Sequence, residues 1–448
     1  MNLGQGSAAE GGVELDGMPI GIPDTEAGSV DDPHGGGGVA YGSMTPDPSA
    51  PAVALPNAAA ASVEVDRSRP NYRLLSLLAL GHLVIDTNQG SLPALLPYLK
   101  TALGLTYTAT GVIVLMSTIT SSLIQPLFGF LADQTARRWL LPLSVILSAF
   151  GIALSGVAPS YAAVLALVML SGFGVAAYHP EGYRTATQVA GDKKATGVSI
   201  FSTGGNIGIA VGPPLITALI TMFGMAGSLG MLVPGLLVAI LLMLVLPGLS
   251  RPLPARTDGR ASAPQTMVGA MTLLVLVISI RSWTQLGFTT YMPFYYLEVL
   301  KGDPRMVGTL LAVFLGSGAV GTLIAGPIAD RVGHRRFMVS VFFLAAPLAI
   351  AFLLVSGVWT FVLLAALGLV LVSTFTTAVV LGQAYMPRNL GMASGLIVGF
   401  AIGAGGVGAT ALGWVADRWG LSSALWISAL MPILGCAVSL TLPEPRSR

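Results

Sequence analysis

Apolar and polar positions divide the chain into two unlike parts. Residues 1 to 66, rich in Gly, Ala, Pro and Asp and including the run Gly35 to Gly38, show no helical period and no basic-then-apolar signal segment. Too little apolar surface is available there to offset the entropy of folding, so a disordered tail is expected. From Asn71 to Leu442 the sequence turns into long apolar runs separated by short polar breaks. One span with its loop takes about 30 residues, which divides these 372 residues into twelve membrane-crossing helices. The spans fall at 72–97, 108–131, 139–157, 161–190, 195–222, 226–247, 267–293, 305–328, 337–356, 358–385, 391–414 and 421–441.

The second half repeats the first. Gly129-Phe-Leu-Ala-Asp133-Gln-Thr-Ala-Arg137-Arg138 returns as Gly326-Pro-Ile-Ala-Asp330-Arg331-Val-Gly333-His334-Arg335-Arg336, an offset of 197 residues. Ala195-Thr-Gly197 with Gly205 and Gly208 returns as Ala393-Ser-Gly395 with Gly403 and Gly406, an offset of 198. Two independent motifs with nearly one offset point to a duplication, a common origin of secondary transporters. Between the copies, Pro247 to Gln265 holds four prolines and three arginines, as a linker would. The expected fold is an all-α membrane protein of twelve transmembrane helices in two pseudo-symmetric six-helix bundles. Its parts are an acidic tail at 1–66, a bundle at 67–248, a cytoplasmic linker at 249–265 and a second bundle at 266–448.

Composition narrows the function. Only 9% of residues are charged and 54% are hydrophobic, which excludes a soluble enzyme. The tail holds ten acids and no Lys or Arg, so the body carries 22 basic against 10 acidic residues. Spread through apolar runs, those cations cannot form the continuous stripe that nucleic acid requires. The single cysteine, Cys436, rules out an intrachain disulfide and a Cys-based zinc site. Placing the N-terminus inside leaves 17 of the 22 basic residues in cytoplasmic segments and only Lys100, Lys301, Arg305 and Arg418 outside, with Arg281 within a span. That bias predicts cytoplasmic termini.

The acidic-basic loop after the second and eighth spans resembles the signature of the major facilitator superfamily, most closely in its second copy. The first copy departs from the pattern at Gln134 and Ala136. A third fragment, Gly413-Trp-Val-Ala-Asp417-Arg418-Trp-Gly420, falls outside and reads as a capping turn. His82-x-x-x-Asp86, Gln125-Pro126-x-x-Gly129, His179-Pro180-Glu181 with Arg184, and Gly205-Asn206-x-Gly208-x-x-x-Gly212-Pro213 together resemble the fosmidomycin resistance branch of that superfamily. The resemblance implies proton-driven drug export from a bacterial inner membrane by a monomer. It further implies a central cavity lined by the first, fourth, seventh and tenth spans. Asp133 with Arg137 and Arg138, and Asp330 with Arg331 and Arg335, then become inner-face gating residues.

Ionisable groups within these spans are few and costly, about 2.5–3.5 kcal/mol each at mid-bilayer, so each should face a cavity or a partner. At about 1.5 Å per residue, Asp86, His179 and Glu181 all lie about 18–21 Å from the inner surface, and Arg281 about 24 Å along its span. His82 and Asp86, four apart, share a helix face and form either a proton relay or a buried pair that fixes the first span. His179-Pro180-Glu181 is a coupling site or a structural kink, with Glu181 the best candidate proton carrier. Arg281 cannot release its proton, so it either holds a carboxylate or phosphonate or serves as counter-ion to Asp86 or Glu181. Arg184 can snorkel to the interface or reach substrate. Asn206, Gln285, Thr374 and Thr377, with the aromatic Tyr178 and Trp283, complete the candidate substrate lining, although packing also accounts for them.

No cofactor or metal is expected: His82, Asp86, His179 and Glu181 lack the spacing of a metal motif, and no phosphate-binding Gly-Lys-Ser/Thr loop exists, so a proton gradient is the expected energy source. A proton-coupled importer of a small organic anion or sugar is the alternative to an exporter. A membrane enzyme would need a catalytic constellation that is missing from the sequence. Deleting residues 1 to 66 should leave transport intact; a truncated protein that inserts normally yet fails to transport would give the tail a direct role.

Overall fold

The computed structural model describes residues 70–134, 139–245, 266–387, 389, 392–393 and 395–444. The acidic tail, the linker, Arg137, Arg138, Arg388 and the side chain of Asp133 lie outside the described residues. Everything described belongs to one unit, Val65–Arg448. It is helical throughout, and no strand occurs among the described residues.

The N-terminal half contains α1 (Tyr72–Leu103), α2 (Tyr107–Thr118), a π-helical turn (Ile119–Leu123), α3 (Gln125–Gln134), α4 (Leu140–Ser155), α5 (Tyr161–Val189), α6 (Lys194–Phe223) and α7 (Leu232–Val245). The C-terminal half contains α8 (Val268–Glu298), α9 (Val307–Val332), α10 (His334–Leu354), α11 (Val358–Val372), α12 (Thr374–Tyr385), a second π-helical stretch (Gly395–Ala401), α13 (Ile402–Trp419) and α14 (Leu421–Ser439). Among the described residues, nine helices are long and apolar enough to cross a membrane. One of them, Thr196–Val245, is 50 residues long and contains both the fifth and sixth predicted spans, joined by a 3-10 turn at Gly224–Met231. α1 is not among the nine, because the polar run Asp86-Thr87-Asn88-Gln89-Gly90-Ser91 dilutes its apolar character.

Hydrocarbon tails are as apolar as leucine, so close van der Waals contact rather than water exclusion must hold these helices together. The sequence supplies small residues where that contact is needed. Gly204, Gly208 and Gly212, one helical turn apart on α6, set its backbone against α1: a Cβ on them would stand 2.1 Å from the Ala79 carbonyl oxygen, 2.2 Å from that of Leu83 and 2.2 Å from that of Thr87. Gly90 of α1 answers from the other side, where a Cβ would lie 2.5 Å from the Ile209 carbonyl. Two further glycines turn the chain. Gly333 (φ 92°) alone separates α9 from α10, and Gly420 (φ 85°) alone separates α13 from α14. A side chain at either position would force an L-residue into the left-handed region.

The halves meet along two helix pairs, α2 with α13 and α6 with α9. The buried apolar side chains record how. One large cluster runs through both halves, joining Leu92 to Leu99 of α1 and Ile113 of α2 with Phe288 to Tyr295 of α8, Val307 to Leu315 of α9 and Ala409 of α13. Toward the other ends of α1 and α8 the core divides, with Leu75, Leu78 and Tyr178 in one cluster and Met271, Leu274 and Tyr385 in another. The shared cluster lies at the end predicted to be outside. Gly208→Val should lower the thermal midpoint of the purified protein by the equivalent of about 1–3 kcal/mol, the usual cost of overpacking. Gly269→Ala, where a Cβ meets nothing within 4 Å, serves as the control and should leave the midpoint unchanged or slightly higher.

Candidate functional site

The i, i+4 spacing of His82 and Asp86 puts both on the face of α1 that α5 and α6 cover. His82 Nε2 stands 3.3 Å from Asp86 Oδ2, and His179 Nε2 of α5 stands 3.2 Å from Asp86 Oδ1. The other ring nitrogen of His82 lies 2.8 Å from the Phe201 carbonyl oxygen of α6. His82 thus stands between two oxygen acceptors, the Asp86 carboxylate and the Phe201 carbonyl. Its ring stacks on Phe201 at 4.2 Å and meets His179 edge-on at 4.9 Å. Gly205 of α6 closes the top, since a Cβ there would sit 2.5 Å from His82 Nε2 and 2.6 Å from Asp86 Oδ2. The side chains are nearly sealed, 5% exposed for His82, 12% for Asp86 and 16% for His179.

Glu181, one turn along α5 from Tyr178, is 1% exposed and pairs with Arg184 Nη1 at 3.4 Å. Arg184 thus bends back to a carboxylate three residues away. Tyr178 belongs to the core: it is fully buried, and its hydroxyl donates to the Leu78 carbonyl at 2.8 Å, tying α5 to α1. Tyr183, which the sequence did not single out, reaches within 6.0 Å of the His82 ring and shares a 3.1 Å hydrogen bond with Ser202. Asn206 is half-buried on α6.

The C-terminal half holds a different kind of charge. Arg281 of α8 is 3% exposed, and its Nε donates to the Leu371 carbonyl at 3.4 Å, where α11 ends and α12 begins. Among the described residues no carboxylate lies within 4.0 Å of its guanidinium, because Asp86 is held by the two histidines and Glu181 by Arg184. Thr374 and Thr377, both buried, lie on α12; Thr374 donates to Leu371, while the Thr377 hydroxyl has no partner. Among the further buried polar groups of the described residues that lack a hydrogen-bond partner and that the sequence did not single out are the Asn88 amide on α1 and the Ser282 and Thr290 hydroxyls on α8. Trp283 packs against the backbone at Gly408 of α13, and Gln285 is half-buried.

Of the residues expected to gate, Asp330 is 72% exposed and meets His334 at 3.8 Å. Arg331 is exposed, and Arg335 binds the Leu440 carbonyl and Glu444, 3.8 Å away, fastening α10 to the segment after α14. The groups brought together by His82, Asp86 and His179 offer ligand atoms within 4.8 Å of one another, the one such set among the described residues that could hold a metal ion, although sequence spacing gave no sign of it. In the present geometry both imidazoles instead address the carboxylate. A shallow groove of about 370 Å³ lined by Ser76, Leu80, Leu83 and Ile207 carries no ionisable group.

The sequence profile of the Major Facilitator Superfamily matches residues 78–401 and 300–448. An uncharacterised superfamily-type transporter of Bacillus subtilis, YfnC, is 33% identical over 387 residues, covering 84% of this chain and 94% of its own. The fosmidomycin resistance protein of Escherichia coli is 31% identical over 400 residues, covering 87% and 97%. Among solved structures, a bacterial homologue of the human lysosomal transporter Spinster in an inward-facing, unoccupied conformation superposes with a TM-score of 0.69 at 16% identity, covering 83% of this chain and 96% of that one. With half-to-half duplication, an all-helical fold and these relatives in agreement, the chain belongs to the major facilitator superfamily of membrane transporters.

Proposed function

We propose that this transporter is a proton-coupled exporter of a small anionic compound, working by alternating access in a bacterial inner membrane with both termini in the cytoplasm. The observation that carries it is the buried set His82, Asp86 and His179 beside Glu181, four protonatable groups on two helices of one half. Titratable groups are so costly within a span that they mark ion pathways. Two imidazoles converging on one carboxylate, with Glu181 two residues along α5 from His179, give a buried cluster through which a proton can be passed.

Arg281 supports the anionic part. A buried guanidinium with one nitrogen bonded to a carbonyl and no carboxylate within 4.0 Å among the described residues has room for an anion at its terminal nitrogens. A carboxylate or phosphonate fits that fork, and the buried, unpartnered Thr377 hydroxyl on neighbouring α12 supplies a further donor. The 31% identical relative is named for resistance to fosmidomycin, which agrees with export and with a small anionic cargo.

Two outcomes are expected in proteoliposomes. Glu181→Gln fixes the neutral form, so substrate counterflow should persist while accumulation driven by a pH gradient disappears. Uphill accumulation by this variant would move the carrier to Asp86, tested by Asp86→Asn in the same assay. Arg281→Ala should weaken apparent substrate affinity by about 10-fold or more and Arg281→Lys by less, because charge survives without the planar fork. Unchanged affinity in both would return Arg281 to a structural role at the α11–α12 break.

A further inference from the structure

We infer that Asp417 is the positioning residue that holds the outer ends of the two halves together, so that its release is a required step of the transport cycle. Asp417 lies in the last turn of α13, where its own helix gains nothing from an acid, because the carbonyl end of a helix disfavours negative charge. Its carboxylate is spent on the other half. Oδ1 accepts from the Tyr107 backbone N–H at 2.8 Å, and Oδ2 accepts from the Thr108 N–H at 2.8 Å and the Thr108 hydroxyl at 2.6 Å.

Those two amides open α2. A helix leaves its first four N–H groups without internal partners. Here Ala109 N–H is answered by the Thr106 hydroxyl and Thr110 N–H by the Thr106 carbonyl, both within the chain's own turn. Tyr107 and Thr108 are answered only from 310 and 309 residues away. The first turn of α2 has no acid of its own. Helix end and carboxylate are thus each placed for the other, across the boundary between the halves.

Close packing surrounds the contact. A Cβ on Gly413 would stand 2.5 Å from the Tyr107 carbonyl oxygen, and one on Gly111 would stand 2.7 Å from Thr410 Cα. Lys100 reaches Glu298 at 3.7 Å, and Tyr107 donates to the same carboxylate. This is also the end where the apolar core runs unbroken through both halves.

The sequence explains why an acid stands there. Gly413-x-x-x-Asp417-Arg418-x-Gly420 has the spacing of Gly326-x-x-x-Asp330-Arg331-x-Gly333, and each copy ends its helix at a glycine of positive φ whose N–H bonds back to residue 416 or 329. One copy sits at each face of the membrane. In this structure the outer copy is engaged and Asp330 is 72% exposed, meeting only His334 among the described residues. The two copies therefore read as opposed latches, one occupied in each state of the cycle.

The test uses the full chain in nanodiscs, with spin labels on Ala102→Cys and Ser422→Cys, exposed residues near the outer ends of α1 and α14, in a Cys436→Ser background. Asp417→Ala should raise the long-distance, outward-open population about tenfold, and Asp417→Asn, which keeps one acceptor oxygen, by less. Adding Thr106→Asp to Asp417→Ala supplies an acid to the α2 end from its own side, so thermal stability should recover while the outer ends stay apart. Distances unchanged in both Asp417 variants would overturn the inference. So would full closure on adding Thr106→Asp, since Asp417 would then act on one helix and not between two halves. Neither measurement involves the proton or Arg281, so the result stands apart from the coupling scheme.

Discussion

The contact between α1 and α6 decides where the chemistry of the N-terminal half can be. Because Gly204, Gly208 and Gly212 bring the two backbones together, the Phe201 carbonyl reaches His82 and the bare Cα of Gly205 lies over the His82–Asp86 pair. With larger residues in that stripe, α6 would stand off from α1, and the imidazole would lose its second acceptor. The site is thus a product of helix packing as much as of ionisable side chains. In a solvent that cannot hydrogen-bond, a charge must find its partners inside the protein, and only close helices provide them.

That constraint sorts the buried charges of the two halves. Asp86 is answered by His82 and His179, and Glu181 by Arg184. Among the described residues, Arg281 meets no carboxylate and donates to a carbonyl at a broken helix. Within those residues the N-terminal half contains its own counter-charges, and the C-terminal half offers one without a carboxylate partner. The proposed function, with protons assigned to the first bundle and an anion to the second, rests on this inequality.

Much of this was legible in the sequence because helical periodicity and depth are linear quantities. The i, i+4 step gave His82 with Asp86, and counting from the inner surface brought His179 level with them. What depends on helix rotation was not legible. Tyr178 was expected to line the cavity, but its ring faces α1 and its hydroxyl is spent on Leu78. Phe201 acts through a backbone carbonyl, which no residue type advertises. Asp417 was recognised as part of a capping turn, yet the helix it caps begins 310 residues earlier, a pairing that only tertiary structure reveals. The polar run in α1 that lowers its hydropathy is the same run that carries Asp86.

Gly333 and Gly420 each form a joint one residue long. A longer loop would act as a spring, absorbing displacement of one helix before its neighbour felt it. A single residue adds almost no length, so a displacement at the end of α9 is passed to the start of α10, and one at the end of α13 to the start of α14. Lipid packed against α14 would then register each stroke of α13 directly.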